Sequence, residues 1–260
     1  MFSLISEVKN KTPLVVQFTN EVTINDCANV TLAIGASPIM SSYLEDVEDI
    51  VKIASSIVIN IGTINRESEK VFKEVARFAK IYNKKIVLDP VGVFASPKRF
   101  AYVKELLEIN NFTVIKGNLA EIKAIGGMES RGQGVDSLDN DINIEEIKKL
   151  SKKLNTILAI TGKDDYITDG ERVIKISNGT TKLKCVSGTG CMSASLIASY
   201  LGACENDLEA TTMGILTMSL SGELADEKNQ GIGSFKVALM DEIYLLTESK
   251  IKNSVRIEGM

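Results

Sequence analysis

Five short stretches of the chain are apolar at almost every position and end in polar or turn-forming residues. They are "PLVVQFT" (13–19), "SIVINIGT" (56–63), "KKIVLDPVG" (84–92), "FTVIKGN" (112–118) and "TILAITG" (156–162). Continuous Val/Ile/Leu runs of this length predict strands covered on both faces, as in parallel sheets. Between them the apolar residues recur every three or four positions. "EDVEDIVKIAS" puts Val47, Ile50, Val51 and Ala54 on one side of a helix, and "SEKVFKEVARFAKIY" does so with Val71, Val75, Phe78 and Ala79. Strand and helix signals alternating in this way predict βαβ units with right-handed crossovers, hence a doubly wound α/β sheet with helices on both faces.

After "AITGKDD" the pattern changes. "DYITDGERVIKISNGTTKLKCV" alternates polar and apolar residues around Asp169-Gly170 and Asn178-Gly179. Both are hairpin dipeptides, so an antiparallel edge to the mostly parallel sheet is expected. From Gly188 onward the pattern is helical again, with a break at "NQGIGSF" (229–235). The stretch "GGMESRGQGVDSLDNDIN" (126–143) is rich in Gly, Ser, Asp and Asn and reads as a loop, either a lid or a surface excursion. No internal repeat or low-complexity tract divides the chain, and residues 1–260 are expected to form one domain.

Composition narrows the function classes. With 44% hydrophobic and 25% charged residues the chain has the balance of a soluble globular protein. Its 30 basic and 34 acidic residues give a net charge of -4, without a basic cluster of the kind that holds nucleic acid. The opening "MFSLISEVKNKTPLVV" has no apolar run suited to a signal sequence, and no stretch approaches a membrane span. A cytoplasmic location is the expectation. The four cysteines, Cys27, Cys185, Cys191 and Cys204, form no C-x-x-C pair. There is no histidine, which removes Ser-His-Asp and Cys-His nucleophiles and any His-ligated metal.

In an open parallel sheet ligands bind outside the carboxyl ends of the strands. The strand ends here are Thr19-Asn20, Asn60 to Thr63, Asp89 to Gly92, Lys116-Gly117-Asn118 and Thr161-Gly162. Gly188-Thr189-Gly190 ahead of a helix can aim several amide groups at one anion; it can equally serve only a tight turn and close helix packing. It is not a Walker A loop, since no G-x-x-x-x-G-K-[ST] is present. Asn118 and Glu121 have the spacing of a reciprocal helix cap, and the same spacing suits a Mg²⁺ held through water. Asp89, ahead of Pro-Val-Gly, is awkward to satisfy locally and points to a metal or phosphate role. Lys116 could neutralise phosphate or sit solvated at the strand end. Asn25 and Asn29 share a helix face beside Cys27 and Ala28.

Eight motifs, "FTNEVTINDCAN", "LAIGASPIM", "INIGT", "LDPVG", "KGNLAEI", "AITGKDD", "VSGTGCMSAS" and "GIGSF", follow one another along nearly the whole chain. In that order they resemble the hydroxyethylthiazole kinases of thiamine salvage, within the ribokinase-like fold. The resemblance implies ATP-dependent phosphorylation of 4-methyl-5-(2-hydroxyethyl)thiazole on its primary alcohol. It implies that the Met40 backbone and Gly188 contact that alcohol and that Asn25 lines its pocket. It further implies that Lys116 and Thr161 contact ATP, and that Asp89 and Glu121 organise Mg²⁺ through water. A homotrimer with the thiazole site between subunits is also implied. Relatives in the wider fold usually carry Asp where this chain, like the thiazole kinases, has Cys191. Three positions depart from the family's common pattern: Lys116 stands for Arg, Val16 for His and Ile232 for Pro. The first replaces a bidentate fork by a point charge. With phosphoryl transfer passing through a loose transition state, Cys191 is expected to be a modest base or a positioning group, and the amide loop to matter more. Rival expectations are a pyrimidine-type alcohol kinase on the same fold, a non-catalytic nucleotide-binding protein, and a cysteine-dependent transferase.

Overall fold

The computed structural model describes residues 1–127, 142–228 and 231–259. All five apolar runs become strands: β1 (Leu14–Phe18), β3 (Ser56–Asn60), β4 (Lys85–Asp89), β5 (Val114–Asn118) and β6 (Ile157–Thr161). A further parallel strand, β2 (Ser37–Met40), pairs outside β1. Pro38 is tolerated there because an edge strand leaves one side of its backbone unpaired. Beyond β6 come β7 (Asp165–Thr168), β8 (Val173–Ile176) and β9 (Ile257–Glu258), all antiparallel to their neighbours. The nine strands form one sheet in the order β2-β1-β3-β4-β5-β6-β7-β8-β9.

Alternate residues of each strand feed two separate cores, as the twofold period of a strand requires. Val15, Val58, Val87, Val114 and Ala159 point into one core. It is shared with α1 (Leu4–Lys11), α2 (Ile24–Ile34), α8 (Thr189–Ala203), α9 (Asp207–Lys228), α10 (Ile232–Tyr244) and α11 (Glu248–Ser254). Val16, Ile57, Ile59, Leu88 and Ile115 point into the other. That face is covered by α3 (Val47–Ile53), α4 (Arg66–Ile81), α5 (Pro97–Ile109), α6 (Leu119–Gly126) and α7 (Ile144–Leu154). The amphipathic spacing read for α3 and α4 holds: Val47, Val51, Val71, Val75 and Ala79 are all buried.

Helices α8 and α9 are buried on nearly every side, and their hydroxyl residues turn inward on their own backbone. Ser193, Ser199, Thr211 and Thr212 each donate to the carbonyl four residues earlier, which satisfies the hydroxyl without a partner helix. Helix α8 crosses beneath β1, β3 and β4 and packs on α2, so its first turn arrives at the carboxyl ends of those strands.

One expected hairpin is absent. Asp169-Gly170 does join β7 to β8, with Asp169 accepting from the Glu171 and Arg172 amides. Asn178-Gly179 does not join adjacent strands; it leads into a 3-10 turn over Thr181–Cys185 and then α8. Its partners come from far along the chain: the Asn178 side chain donates to Ser254 O and accepts from Arg256 N, and Gly179 N donates to Glu223. The strand that fills the place beside β8 is therefore β9. The expected loop over 126–143 falls almost entirely outside the described residues, as do the first two positions of the expected break at 229–235.

Candidate active site

The switch in strand direction of travel lies between β1 and β3, where the chain leaves β1 for one neighbour and later returns on its other side. A crevice at the carboxyl ends is expected at such a point. Side chains at those ends form one continuous polar chain. Asn20, just after β1, accepts from the Thr23 amide at 3.1 Å and donates to Asn60 Oδ1 at 3.0 Å. Asn60, in register with Asp89 across β3 and β4, donates to Asp89 Oδ2 at 2.8 Å. Lys116 Nζ, on β5, lies 3.7 Å from Asp89 Oδ1.

Cys191 joins this chain from α8: Asn20 Nδ2 donates to its Sγ at 3.3 Å. The start of α8 has no side-chain cap, and Gly188 precedes it with φ of +89°. A side chain at 188 would be strained by that φ, and its Cβ would come within 2.6 Å of Thr23 Cγ2 at the start of α2. Gly190 meets Lys116: a Cβ there would sit 3.0 Å from Nζ. The uncapped amides, the buried ammonium and the thiol thus face one small region.

Asp89 is fully buried, and its Oδ1 has no hydrogen-bond partner. Burial pushes its pKa up to about 7, with Glu121 adding to the rise while Lys116 and Asn60 oppose it. Burial works against the Lys116 ammonium, yet Asp89 and Glu121 carry its pKa above the ordinary lysine value. Burial and the nearby Asp89 raise the Cys191 thiol above its usual pKa, against the pull of Thr23, Lys116 and Asn60. A group arranged this way is a protonated thiol at neutral pH, not a thiolate.

Asn118 and Glu121 make the full reciprocal cap of α6. Asn118 Oδ1 accepts from Glu121 N at 2.9 Å, and Glu121 Oε2 accepts from Asn118 N at 2.8 Å. The other carboxylate oxygen, Oε1, accepts from Gly92 N at 2.9 Å. Each oxygen keeps a second lone pair with which to take a water. Thr161 ends β6 in register with Asn118, its Oγ1 3.5 Å from Gly117 O.

Cys191, Lys116, Asp89, Glu121, Gly188 and Thr161 are therefore gathered along one mouth. Met40 lies at the far end of the same row, at the tip of β2, five strand spacings from Thr161, or roughly 24 Å. Asn25 stands apart: it is exposed on α2, and its side chain accepts from Asn29 Nδ2 at 2.9 Å. Asn20 and Asn60, which link Cys191 to Asp89, were visible in sequence only as members of a polar set. Their role comes from the register of β1, β3 and β4. Arg99, unremarked in the sequence, donates to the carbonyls of Ile61, Gly62 and Val91 and so ties two strand-end loops together.

The chain is also similar to known proteins along most of its length. Residues 5–249 match the model of the hydroxyethylthiazole kinase family. A hydroxyethylthiazole kinase of Clostridioides difficile (strain 630) is 53% identical over 259 residues, covering 99% of each chain. The structure of a hydroxyethylthiazole kinase protein from Pyrococcus horikoshii OT3 superposes with a TM-score of 0.90 at 35% identity, over 100% of this chain and 98% of that one. A ribokinase-like superfamily protein from Enterococcus faecalis V583 superposes with a TM-score of 0.69 over 95% of each chain. At 12% identity that last likeness concerns the fold alone.

Proposed function

The chain belongs to the hydroxyethylthiazole kinase family, and from that premise we propose how its residues move the γ-phosphoryl group of ATP to the primary alcohol of 4-methyl-5-(2-hydroxyethyl)thiazole, a step of thiamine biosynthesis and salvage. The single observation that carries the assignment of roles is the meeting of three features at one point: the uncapped start of α8, the buried Lys116 ammonium and the Asn20–Asn60–Asp89 chain.

The γ-phosphate is read at the first turn of α8, where amide groups and the helix dipole favour an anion and Lys116 supplies a full charge. Thr161 bounds the nucleotide at the end of β6. The thiazole alcohol lies on the opposite side of the phosphate, toward the Met40 backbone and Gly188. Its oxygen attacks phosphorus in line with the departing ADP oxygen, and most of the stabilisation comes from donors already in place. In this reading Cys191 stands beside the alcohol oxygen, held by the hydrogen bond from Asn20. Its raised pKa keeps it a neutral thiol, which orients the hydroxyl by accepting its hydrogen bond, while the proton itself passes to an oxygen of the transferred phosphoryl group as the new P–O bond forms. The thiol does not serve as a strong base.

The orphaned Asp89 Oδ1 fits a hard cation, directly or through one water, and Glu121 can hold a second water. Among the described residues no group of three or more His, Cys, Asp or Glu converges as a metal cage. A Mg²⁺ here would take its remaining ligands from phosphate and water, as the ion prefers. Its contribution would be to neutralise charge on the polyphosphate.

The assembly belongs to the same reading. Asn25 is exposed on α2 beside Val22 and Ile24, with Leu32 further along the helix, and all three apolar side chains are exposed. A homotrimer that covers this face would bring Asn25 into a thiazole pocket between subunits. One kinase domain over residues 1–260 and a cytoplasmic location complete it; among the described residues no helix is long and apolar enough to cross a membrane.

The test is a coupled assay of ADP release run against thiazole, pyrimidine and sugar alcohols. ADP formation with the thiazole alcohol, and a much slower rate with the others, is the expected result. Faster turnover of a pyrimidine alcohol would replace the substrate, and no turnover of any alcohol would remove the enzyme.

A further inference from the structure

Two turns flank β7, and each is organised by an aspartate. At the outer turn Asp169 accepts from two backbone amides and pairs with Arg172 on the surface. Asp165, at the inner turn between β6 and β7, has a similar local task but a different setting. Its Oδ1 accepts from Gly162 N at 3.0 Å, and its Oδ2 accepts from Ser219 Oγ at 2.6 Å. It is 6% exposed, and among the described residues no cation pairs with it. A hairpin turn alone does not need a buried carboxylate, as Asp169 demonstrates, and burying one is costly.

The inner turn begins at Thr161-Gly162, the end of β6 that borders the nucleotide. We propose that Asp165 is a positioning residue for ATP, fixing the Thr161–Gly162 backbone against helix α9 through Ser219 without touching the nucleotide. This rests on the kinase reading above, and it adds to that reading two residues, Asp165 and Ser219, that govern nucleotide affinity. Rigid tethering to α9 suits such a role, because a loop held on a buried helix keeps its donors in one place before the ligand arrives.

The ionised carboxylate is the form that accepts from both donors. Burial pushes the pKa of Asp165 up to about 6, while Ser219, the Gly162 amide and Lys116 on β5 favour its ionised form and Asp164 opposes it. Asp164 is itself paired with Lys175 of β8. Nucleotide affinity should therefore weaken as pH falls through 6.

The experiment measures ADP affinity by calorimetry, and KM for ATP and for the alcohol, in wild type, Asp165→Asn and Ser219→Ala. Asp165→Asn keeps the shape and can still accept from Gly162 N, but it removes the charge, and its amide must donate to Ser219 Oγ where the carboxylate accepted from it. Loss of the charge from both hydrogen bonds should raise KM for ATP and Kd for ADP about tenfold, leaving KM for the alcohol within about twofold. Ser219→Ala, the milder variant, should raise them about threefold and move the acid limb of ADP binding to higher pH, because the hydroxyl favours ionised Asp165. The part of the limb that belongs to Asp165 should vanish in Asp165→Asn, leaving only the part from ADP and Asp89, which is common to all three proteins. An unchanged ADP affinity in Asp165→Asn, an acid limb there as large as that of the wild type, or equal weakening toward both substrates would each overturn the proposal. Because ADP binding is measured directly, a failure of the thiazole assay would count against the substrate and not against Asp165.

Discussion

Two helices begin at the same mouth of the sheet, and they begin differently. Helix α6 opens with Asn118 and Glu121 exchanging hydrogen bonds, so its first turn is closed by a side-chain cap within four residues. Helix α8 opens with Gly188 in a left-handed conformation and no side-chain cap on its first turn. A cap of the first kind stabilises a protein by about 1 kcal/mol. The second start forgoes that stabilisation and leaves its donors for a ligand, whose binding then adds to the stability of the folded state. Lys116 and Asp89 lie between the two helices, so the same charges stand beside one self-satisfied helix and one open one. A helix start that is complete by itself belongs to the scaffold; one that is not belongs to the site.

The sharpest way to break this comparison is to fill the open start without straining it. Gly188 is the wrong position, because any side chain there meets Thr23 and an unfavourable φ, so stability and activity fall together. Gly190 is the right one. It is helical, its φ is not positive, and the atom that its new Cβ would meet is the flexible end of Lys116, 3.0 Å away. Alanine there should raise helix stability by up to about 1 kcal/mol. The methyl would also press Lys116 away from the amides, and kcat/KM for ATP should fall about 100-fold or more, on the scale of one lost oxyanion donor. Thermal unfolding and steady-state kinetics on Gly190→Ala check both halves. Activity retained within threefold would mean that the first turn of α8 is not the phosphate site.

Next in size comes Cys191→Ala. The thiol receives a hydrogen bond from Asn20 and is held protonated by burial and Asp89. Since the transition state places little demand on early proton removal, the variant should lose about 10-fold to 100-fold in kcat and keep its KM for ATP. A drop beyond about 10⁴-fold in a folded variant would make the thiol an essential base, and the open helix start would then be an accessory to it. Both outcomes are read from one kcat measurement with an unfolding curve beside it.

What was legible beforehand divides along the same line between local and distant partners. The five buried strands could be read because a strand covered on both faces is apolar at every position. Asp89 could be read because nothing nearby in sequence could satisfy it, and among the described residues its Oδ1 has no hydrogen-bond partner, only the Lys116 ammonium 3.7 Å away. The Asn118/Glu121 spacing was legible as a cap or a metal position, and the cap is formed. Strand β2 was not legible: "SPIM" is half-buried, opens with Ser-Pro and has no alternation. Asn178-Gly179 misled because its partners, Glu223, Ser254 and Arg256, lie more than 40 positions away. The bridging roles of Asn20 and Asn60 depend on strand register, and Asp165 on a hydroxyl 54 positions later. Asn25 carries no tie to the rest of the site within one chain, so its role turns on the assembly.

The smallest expected effect comes from the capped helix, and it separates the two starts from the other side. Asn118→Ala removes the acceptor for the buried Glu121 amide and should cost about 1–2 kcal/mol of stability, at the upper end of the range for a lost cap. It should leave the Glu121 carboxylate in place, because both of its oxygens are held by backbone amides, of Asn118 and of Gly92, that the substitution does not touch. Turnover should therefore fall less than about fivefold, far below the loss from Gly190→Ala, as expected when one hydrogen bond is removed away from the reacting atoms. Chemical unfolding gives the stability and the coupled assay gives the turnover. If Asn118→Ala lost as much activity as Gly190→Ala while remaining folded, the capped start would be as much a part of the chemistry as the open one. The bare first turn of α8 could then no longer be singled out as the place that grips the phosphate.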